Sequence, residues 1–226
     1  MKNFKKVSII FVIFLTLILI LSLLFHFHII PGRSYKAEDF NIKTIKSNVD
    51  YDNDKIDDYL DILDGAKEFV KKKPKYKSIY YDGGYPTDKY AVCTDLIWYA
   101  LKNAGYDLKS LIDEDILNNK EDYKITKRDS NIDFRRVVNL NVFFKKFTEV
   151  LTTDEKKIGD WQQGDIVVYK NHIGIVSDKR NKHGISYIIH HGGQPRYEED
   201  ALTRQKIIAH YRFNLKMKEN THGSND

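Results

Sequence analysis

The chain of 226 residues holds one cysteine, Cys93, so no internal disulfide can form. Disulfide stapling, common in small exported domains, is thereby excluded as the source of stability. An excess of charge of one sign is also missing. The 37 basic residues, with Lys2, Lys5 and Lys6 ahead of the first apolar run, face 32 acidic ones. That balance gives no case for a nucleic-acid partner. There is no internal repeat, no HExxH pair of histidines, and no cysteine placed for lipid attachment. The apolar fraction of 42% suits a packed domain, and the 15 tyrosines suit an amphipathic surface or a groove.

What is present begins at the N-terminus. Three lysines precede residues 7–25, VSIIFVIFLTLILILSLLF. That run is uncharged and long enough to cross about 30 Å of hydrocarbon. Lysines before it favour a cytoplasmic N-terminus and an extracytoplasmic remainder. The following FHFHIIPGRS is bulky and offers no small-x-small cleavage site. Residues 1–30 therefore read as a retained signal-anchor of a single-pass membrane protein. His26 and His28 are expected at the membrane interface. Residues 31–54, with Pro31 and Gly32 as breakers, read as a juxtamembrane linker. A folded domain is expected over 55–214, and a disordered tail over 215–226.

Within the domain, Ile56, Leu60, Leu63, Phe69 and Val70 recur at helical spacing up to Pro74. SIYYDGGYPTD has a strand-like start and a Gly-Gly turn. CTDLIWYALKNAGYDL places Leu96, Ile97, Ala100 and Leu101 on one helical face, with Gly105 as the cap. LKSLIDEDILNN reads as a helix. The stretch after DSNIDFRRV fits either a short strand or a helix, with Val142, Phe143 and Phe147 toward a core. Then the period changes to two: DIVVY (165–169), HIGIVSD (172–178), SYIIHH (186–191) and KIIAHYRF (206–213) read as strands joined by turns, hence antiparallel. Helices first and an antiparallel sheet after them make an α+β fold.

Cys93 stands where a short apolar segment meets that helix. A free cysteine is commonly a buried small hydrophobe. At a helix N-terminus, however, unpaired N–H groups and the dipole favour a thiolate, lowering its pKa, and a nearby N–H can hold an oxyanion. His172 opens a strand and is the candidate base, with Gly174 leaving space beside it. His190 or His191, ending the next strand, is the candidate orienter of the imidazole; strand alternation alone does not choose between them. Asp95 would cap the helix or contact substrate. Asp133, Arg135 and Arg136 would bind substrate carboxylates or form a structural ion pair. Asp165 would order the turn before its strand. Tyr80 and Tyr81 would line a groove near Cys93 or pack in the core.

The order of a helix-initial cysteine, GDIVVY, HIGIV and YIIH resembles the NlpC/p60-type papain-like cysteine peptidases of bacterial cell walls, over about residues 75–213. VCTD, NIDFRRVVNLNVFF, WQQGDIV, HIGIVSD, IIHHGG and HYRF are similar to the bacterial family known as domain of unknown function 1287. The resemblance implies a papain-like fold with Cys93 as nucleophile, His172 as base and His190 rather than His191 as orienter. It implies cleavage of amide bonds in peptidoglycan stem peptides. No cofactor and no metal are expected, and a monomer is assumed. Two departures from the peptidases are the V-C-T-D around the cysteine, where they usually carry D-C-S-G, and the NIDFRRV block. Two other readings stand beside it: a non-catalytic cell-wall-binding module on the same fold, and a metal hydrolase using His172, His190, His191 and an acid such as Asp178.

Overall fold

A computed structural model describes residues 2–26 and 33–215. His28, Pro31, Gly32 and the tail from 216 onward lie outside the described residues. The chain divides into two compact units, Met1–Ser34 and Tyr35–Asp226. The first is built on helix α1 (Lys2–His26). Its Lys6–Phe25 stretch has mean hydropathy 3.2 and no buried residue. That is apolar enough to span a membrane, a property a signal sequence shares.

The second unit opens with a segment tied to the body rather than free. Tyr35 pairs with Arg180 in both directions, its N–H donating at 2.9 Å and its carbonyl accepting at 2.7 Å. Ile45 N–H donates to Gln162 Oε1 at 3.1 Å. The stretch read as a linker is thus held on the same unit as the expected domain from Tyr35 on.

Helix α2 (Asp58–Lys71) follows, buried on the face that carries Ile62, Leu63, Ala66 and Phe69. It packs along α3 (Cys93–Asn103) at close range. A Cβ on Gly65 would stand 2.9 Å from the Ala100 Cα, so only glycine permits this approach. Between the helices, SIYY forms no strand. A two-stranded parallel ladder instead joins β1 (Lys75–Tyr76) to β2 (Tyr90–Ala91), which leads directly into α3. Gly105 adopts φ +82° and closes α3, as its position in the sequence indicates.

Helix α4 (Leu108–Asn118) is capped by Asp107, whose side chain accepts from Ser110 N–H. The ambiguous FRRVVNLNVFF stretch forms a 3-10 turn over Asp133–Arg135 and then helix α5 (Val137–Phe147). Helix wins because Leu140, Phe143 and Phe144 fall on one face and are buried together.

The sheet has order β3-β8-β4-β5-β6-β7, antiparallel throughout. Its strands are β3 (Glu149–Val150), β4 (Ile166–Tyr169), β5 (Ile173–Arg180), β6 (Ser186–Ile189), β7 (Glu198–Glu199) and β8 (Ile207–Arg212). The observed class is α+β. Ile166, Val168, Ile173, Ile175 and Ile189 face the helices. Val167, Tyr169, Val176 and Ile188 face a smaller cluster around Trp161 and Leu202. Both faces are covered, so β4 and β6 are buried at every residue. This is why IVVY and SYII read as short apolar blocks rather than clean alternations.

Candidate active site

Cys93 is the first residue of α3 and is 6% exposed. Its N-cap, Val92, has extended backbone, and Asp95 closes the first turn by accepting the Val92 N–H at 2.8 Å. Asp95 is also the buried anchor of the turn. It accepts from Arg135 Nε and Nη2, at 2.7 and 2.9 Å, and from the Trp98 indole N–H at 3.0 Å. Arg135 in turn donates to the Ile79 carbonyl at 2.9 Å and stacks on Tyr81 at 5.2 Å. With side chains 1% and 0% exposed, Arg135 and Asp95 form a structural ion pair. Neither is free to receive a substrate carboxylate. The 3-10 turn that carries Arg135 is thereby pinned to the helix that carries Cys93, and Thr94 adds a hydrogen bond to the Arg135 carbonyl at 3.0 Å.

The sulfur is faced by the backbone N–H groups of Thr94 and of Ile173, the residue after His172. Burial outweighs these donors and pushes the thiol up to about 11. The lowering expected from the helix start alone is therefore overturned: desolvation of a sulfur enclosed in the helical core is the larger effect. His172 moves the opposite way. Burial, then the neighbouring charges of His190 and His191, bring it down to about 4. At neutral pH the pair rests as thiol and imidazole. Among the described residues no hydrogen bond joins the Cys93 sulfur to the His172 ring: Cys93 packs with Ile173, Ile175 and Ile189 on the helix side of the sheet, whereas His172 lies with Tyr169 and Ile188 on the other side.

His172 Nε2 lies 2.7 Å from His190 Nδ1. The strand register explains the meeting. Val176 pairs with Ile188. Counting back along both strands sets Gly174 opposite His190, so His172 is its diagonal neighbour on the same face. A Cβ on Gly174 would stand 2.9 Å from the Ile189 carbonyl and 3.1 Å from the His190 Cβ. The glycine thus makes room for His190 and its strand.

The chain continues past the histidines. His190 Nε2 is 3.0 Å from Glu199 Oε1, and Glu199 Oε2 takes Arg204 at 2.8 Å. Burial works against the Glu199 charge, but the bonds from His190 and Arg204 hold its carboxyl below the ordinary value. A carboxylate only accepts, so His190 Nε2 carries a proton and donates it. In the tautomer whose single proton is on His190 Nε2, His190 Nδ1 accepts from His172 Nε2–H. His172 Nδ1 is left with the lone pair, the form a general base needs. Glu199 was not visible as a site residue in the sequence. Its only signal is the YEED cluster of acids at a strand edge, one of which is buried.

The other candidates are placed as follows. His191 lies on the opposite face from His190, against Tyr197, Tyr76 and Phe69 at 5.1 to 6.3 Å between ring centroids. Among the described residues neither of its ring nitrogens has a hydrogen-bond partner of ordinary geometry, although the backbone of Lys75 and Ala91 is close. Tyr81 is buried and donates to Asp88 Oδ1 at 2.8 Å, while Tyr80 is exposed. Asp133 accepts the Asp129 N–H at 2.7 Å, and its other oxygen faces Arg136 at 3.8 Å. Asp165 orders its turn, accepting from Gln162 N–H, His210 and Arg212. It sits at the far end of β4 from His172. Asp178 pairs with Lys67 at 2.7 Å instead of joining the histidines. The only His, Cys, Asp or Glu group whose ligand atoms converge among the described residues is Asp50, Asp52 and Asp54.

A cavity of about 380 Å³ opens beside the histidines, lined among others by Tyr76, Tyr169, His172, His190, Gln194 and Arg204. Tyr76, which lines the cavity, is also within electrostatic reach of Cys93.

A family model described as a domain of unknown function (DUF1287) matches residues 63–213, which include Cys93, Asp95, Arg135, His172, His190 and Glu199. The uncharacterized protein YijF of Escherichia coli (strain K12) is 35% identical over 170 residues, spanning 70% of this chain and 82% of the relative. No solved structure matches the chain. On the extent of the first match and the identity of the second, this chain belongs to the DUF1287 family.

Proposed function

We propose that this chain is a cysteine hydrolase of papain-like type, held at the outer face of a membrane by α1 and acting on amide bonds of peptidoglycan stem peptides. The observation that carries the reading is the relay His172–His190–Glu199, which fixes a base tautomer next to the strand residue whose N–H faces the Cys93 sulfur. Such a nucleophile–base–orienter set is the arrangement that acyl transfer requires. In the proposed reaction the Cys93 proton passes to His172 Nδ1 as the sulfur bonds to the amide carbon. The N–H groups at the start of α3 stabilise the oxyanion. His172 then returns the proton to the leaving amine nitrogen. Water, deprotonated by the same imidazole, splits the resulting thioester. The polar lining of the cavity suits a peptide better than an acyl chain.

The test is digestion of purified peptidoglycan by the full chain in detergent micelles, with mass analysis of released fragments. Release by the wild type and none by Cys93→Ala supports the reading. Equal release by both sinks it. A second reading, a non-catalytic wall-binding module, draws on the burial of Cys93 and on the thiol lying far above neutrality. It predicts retention on peptidoglycan without any product, and equal retention of Cys93→Ala.

A further inference from the structure

Residues 50–61, DYDNDKIDDYLD, hold six aspartates and one lysine, and they lead into the first turn of α2. Asp50, Asp52 and Asp54 bring carboxylate oxygens within 4.8 Å of one another. Three clustered acids on a surface loop do not make a site. The independent observation is Asp61. It is 2% exposed, and its Oδ2 has no hydrogen-bond partner among the described residues. Its backbone N–H is already used inside the helix, bonded to the Asp57 carbonyl, and its side chain does not cap α2. Leaving a buried carboxylate oxygen unpaired is costly. The negative charges that reach it are those of Asp54, Asp52, Asp58 and Asp50. The unpaired oxygen thus belongs to the first turn of α2, the helix into which the acidic loop leads.

The spacing has a physical counterpart. Calcium loops of twelve residues present side-chain oxygens at positions 1, 3 and 5, a backbone carbonyl at 7 and a carboxylate at 12 on the exiting helix, with a left-handed turn at 6. Counted from Asp50, positions 3, 5 and 12 are Asp52, Asp54 and Asp61. Position 6 is Lys55, with φ +79°, a strained value that lysine rarely takes. Position 7 is Ile56. The first aspartate also braces the turn, accepting the N–H groups of Asp54 at 3.0 Å and Lys55 at 2.9 Å.

We propose that residues 50–61 form a calcium-class divalent-cation site, with the Asp50, Asp52, Asp54 and Asp61 carboxylates and the Ile56 carbonyl as its oxygen ligands. The cation joins the loop to α2 through Asp61. The loop is already seated on the end of α3, where a Cβ on Gly105 would stand 2.8 Å from the Asp52 Cβ. Tyr51 stacks on Tyr106 at 4.1 Å, and Tyr106 donates to Asp58 at 2.5 Å. The bound ion therefore stiffens the packing of α2 on α3, at the end of α3 opposite Cys93.

The experiment uses the full chain in detergent micelles, freed of cations by chelation. Terbium is added and its luminescence, sensitised by Tyr51 next to the loop, is read. Calcium and magnesium are then titrated as competitors, and thermal unfolding is followed with each. Calcium in the range of about 0.1–1 mM is expected to displace terbium and raise the unfolding temperature, with magnesium at least tenfold weaker. Asp52→Asn, an exposed change, is expected to lose tenfold or more in affinity while keeping the cation-free unfolding temperature. Asp61→Asn is expected to lose the calcium-dependent shift, yet to unfold no earlier than the wild type without cation, because a repelled charge is removed. No luminescence and no calcium-dependent shift in the wild type would overturn the site, as would unchanged affinity in Asp52→Asn. Binding by magnesium with calcium inert would overturn its class.

Discussion

Glu199→Gln should reverse the polarity of the histidine relay. In the wild type the Glu199 carboxylate accepts from His190 on one oxygen and from Arg204 on the other. A glutamine must still offer its oxygen to Arg204, which cannot accept. Its NH₂ then faces His190 Nε2 as a donor. His190 would shift its proton to Nδ1, donate to His172 Nε2, and leave His172 protonated on Nδ1. The base would lose its lone pair. A hydrogen bond to a charged group is worth about 1.5–3 kcal/mol, so the population of the useful tautomer should fall about ten- to a hundredfold. Because Cys93 is the only cysteine, alkylation of the full chain by iodoacetamide, followed by mass, reads this one thiol. With the thiol near 11, unassisted thiolate at neutral pH is about one part in ten thousand, and the rate should climb tenfold per pH unit. Assistance by His172 should instead give a rate that rises through about pH 4 and stays level up to the thiol titration. The wild type should show the level profile and Glu199→Gln the climbing one, while Glu199→Asp recovers part of the plateau. Coincident profiles in wild type and Glu199→Gln, with His172→Gln slower, would refute the relay.

Breaking the buried Asp95–Arg135 pair from one side, as in Arg135→Met, should cost about 3–5 kcal/mol in thermal or denaturant unfolding, and replacing both partners by apolar residues should cost less than either single change. Gly174→Ala should press on the Ile189 carbonyl and the His190 Cβ, destabilising by about 1–3 kcal/mol and slowing base-assisted alkylation. Acid should destabilise the fold between about pH 6.5 and 4. His172 is held neutral when folded and would bind a proton when unfolded, so the unfolded state takes up more protons in that window and stability falls as pH falls. Unfolding midpoints measured across that range should flatten in His172→Gln. Asp165→Asn should lower stability through His210 and Arg212 and leave the alkylation profile of Cys93 unchanged.

The parts of this molecule legible in its sequence are those fixed by local pattern. The helical faces around Leu63 and Leu101, the left-handed close at Gly105 and the antiparallel strands from Ile166 onward all follow from periodicity and turn chemistry. The meeting of His172 with His190, and not His191, needed only strand parity and a register. Glu199 was hidden because its strand is two residues long and its pairing with β6 is a matter of tertiary register, which no local window carries. The role of Arg135 was hidden for the same reason: it reaches Asp95 from 40 residues away.

The aspartate loop was obscured differently. Residues 31–54 read as a linker because they are polar, and the spacing that gives 50–61 meaning runs across the boundary between linker and helix.

The contest at Cys93 shows why position alone misjudges a thiol. A helix N-terminus lowers its pKa through a partial charge and a few N–H donors, effects worth about 0.3–1 kcal/mol at an exposed site. Enclosure among Ile97, Ile173 and Ile175 removes the water that would solvate the anion, a larger effect of opposite sign. A thiol so placed gains nothing from being a free thiolate. It becomes a nucleophile only if its proton has somewhere to go in the same step. In the proposed reaction that acceptor is the His172 lone pair, held by a relay that ends on a buried carboxylate. On the proposed reading, the same enclosure that silences Cys93 at rest makes its reactivity depend on Glu199, two histidines away, which is what the Glu199→Gln profile tests.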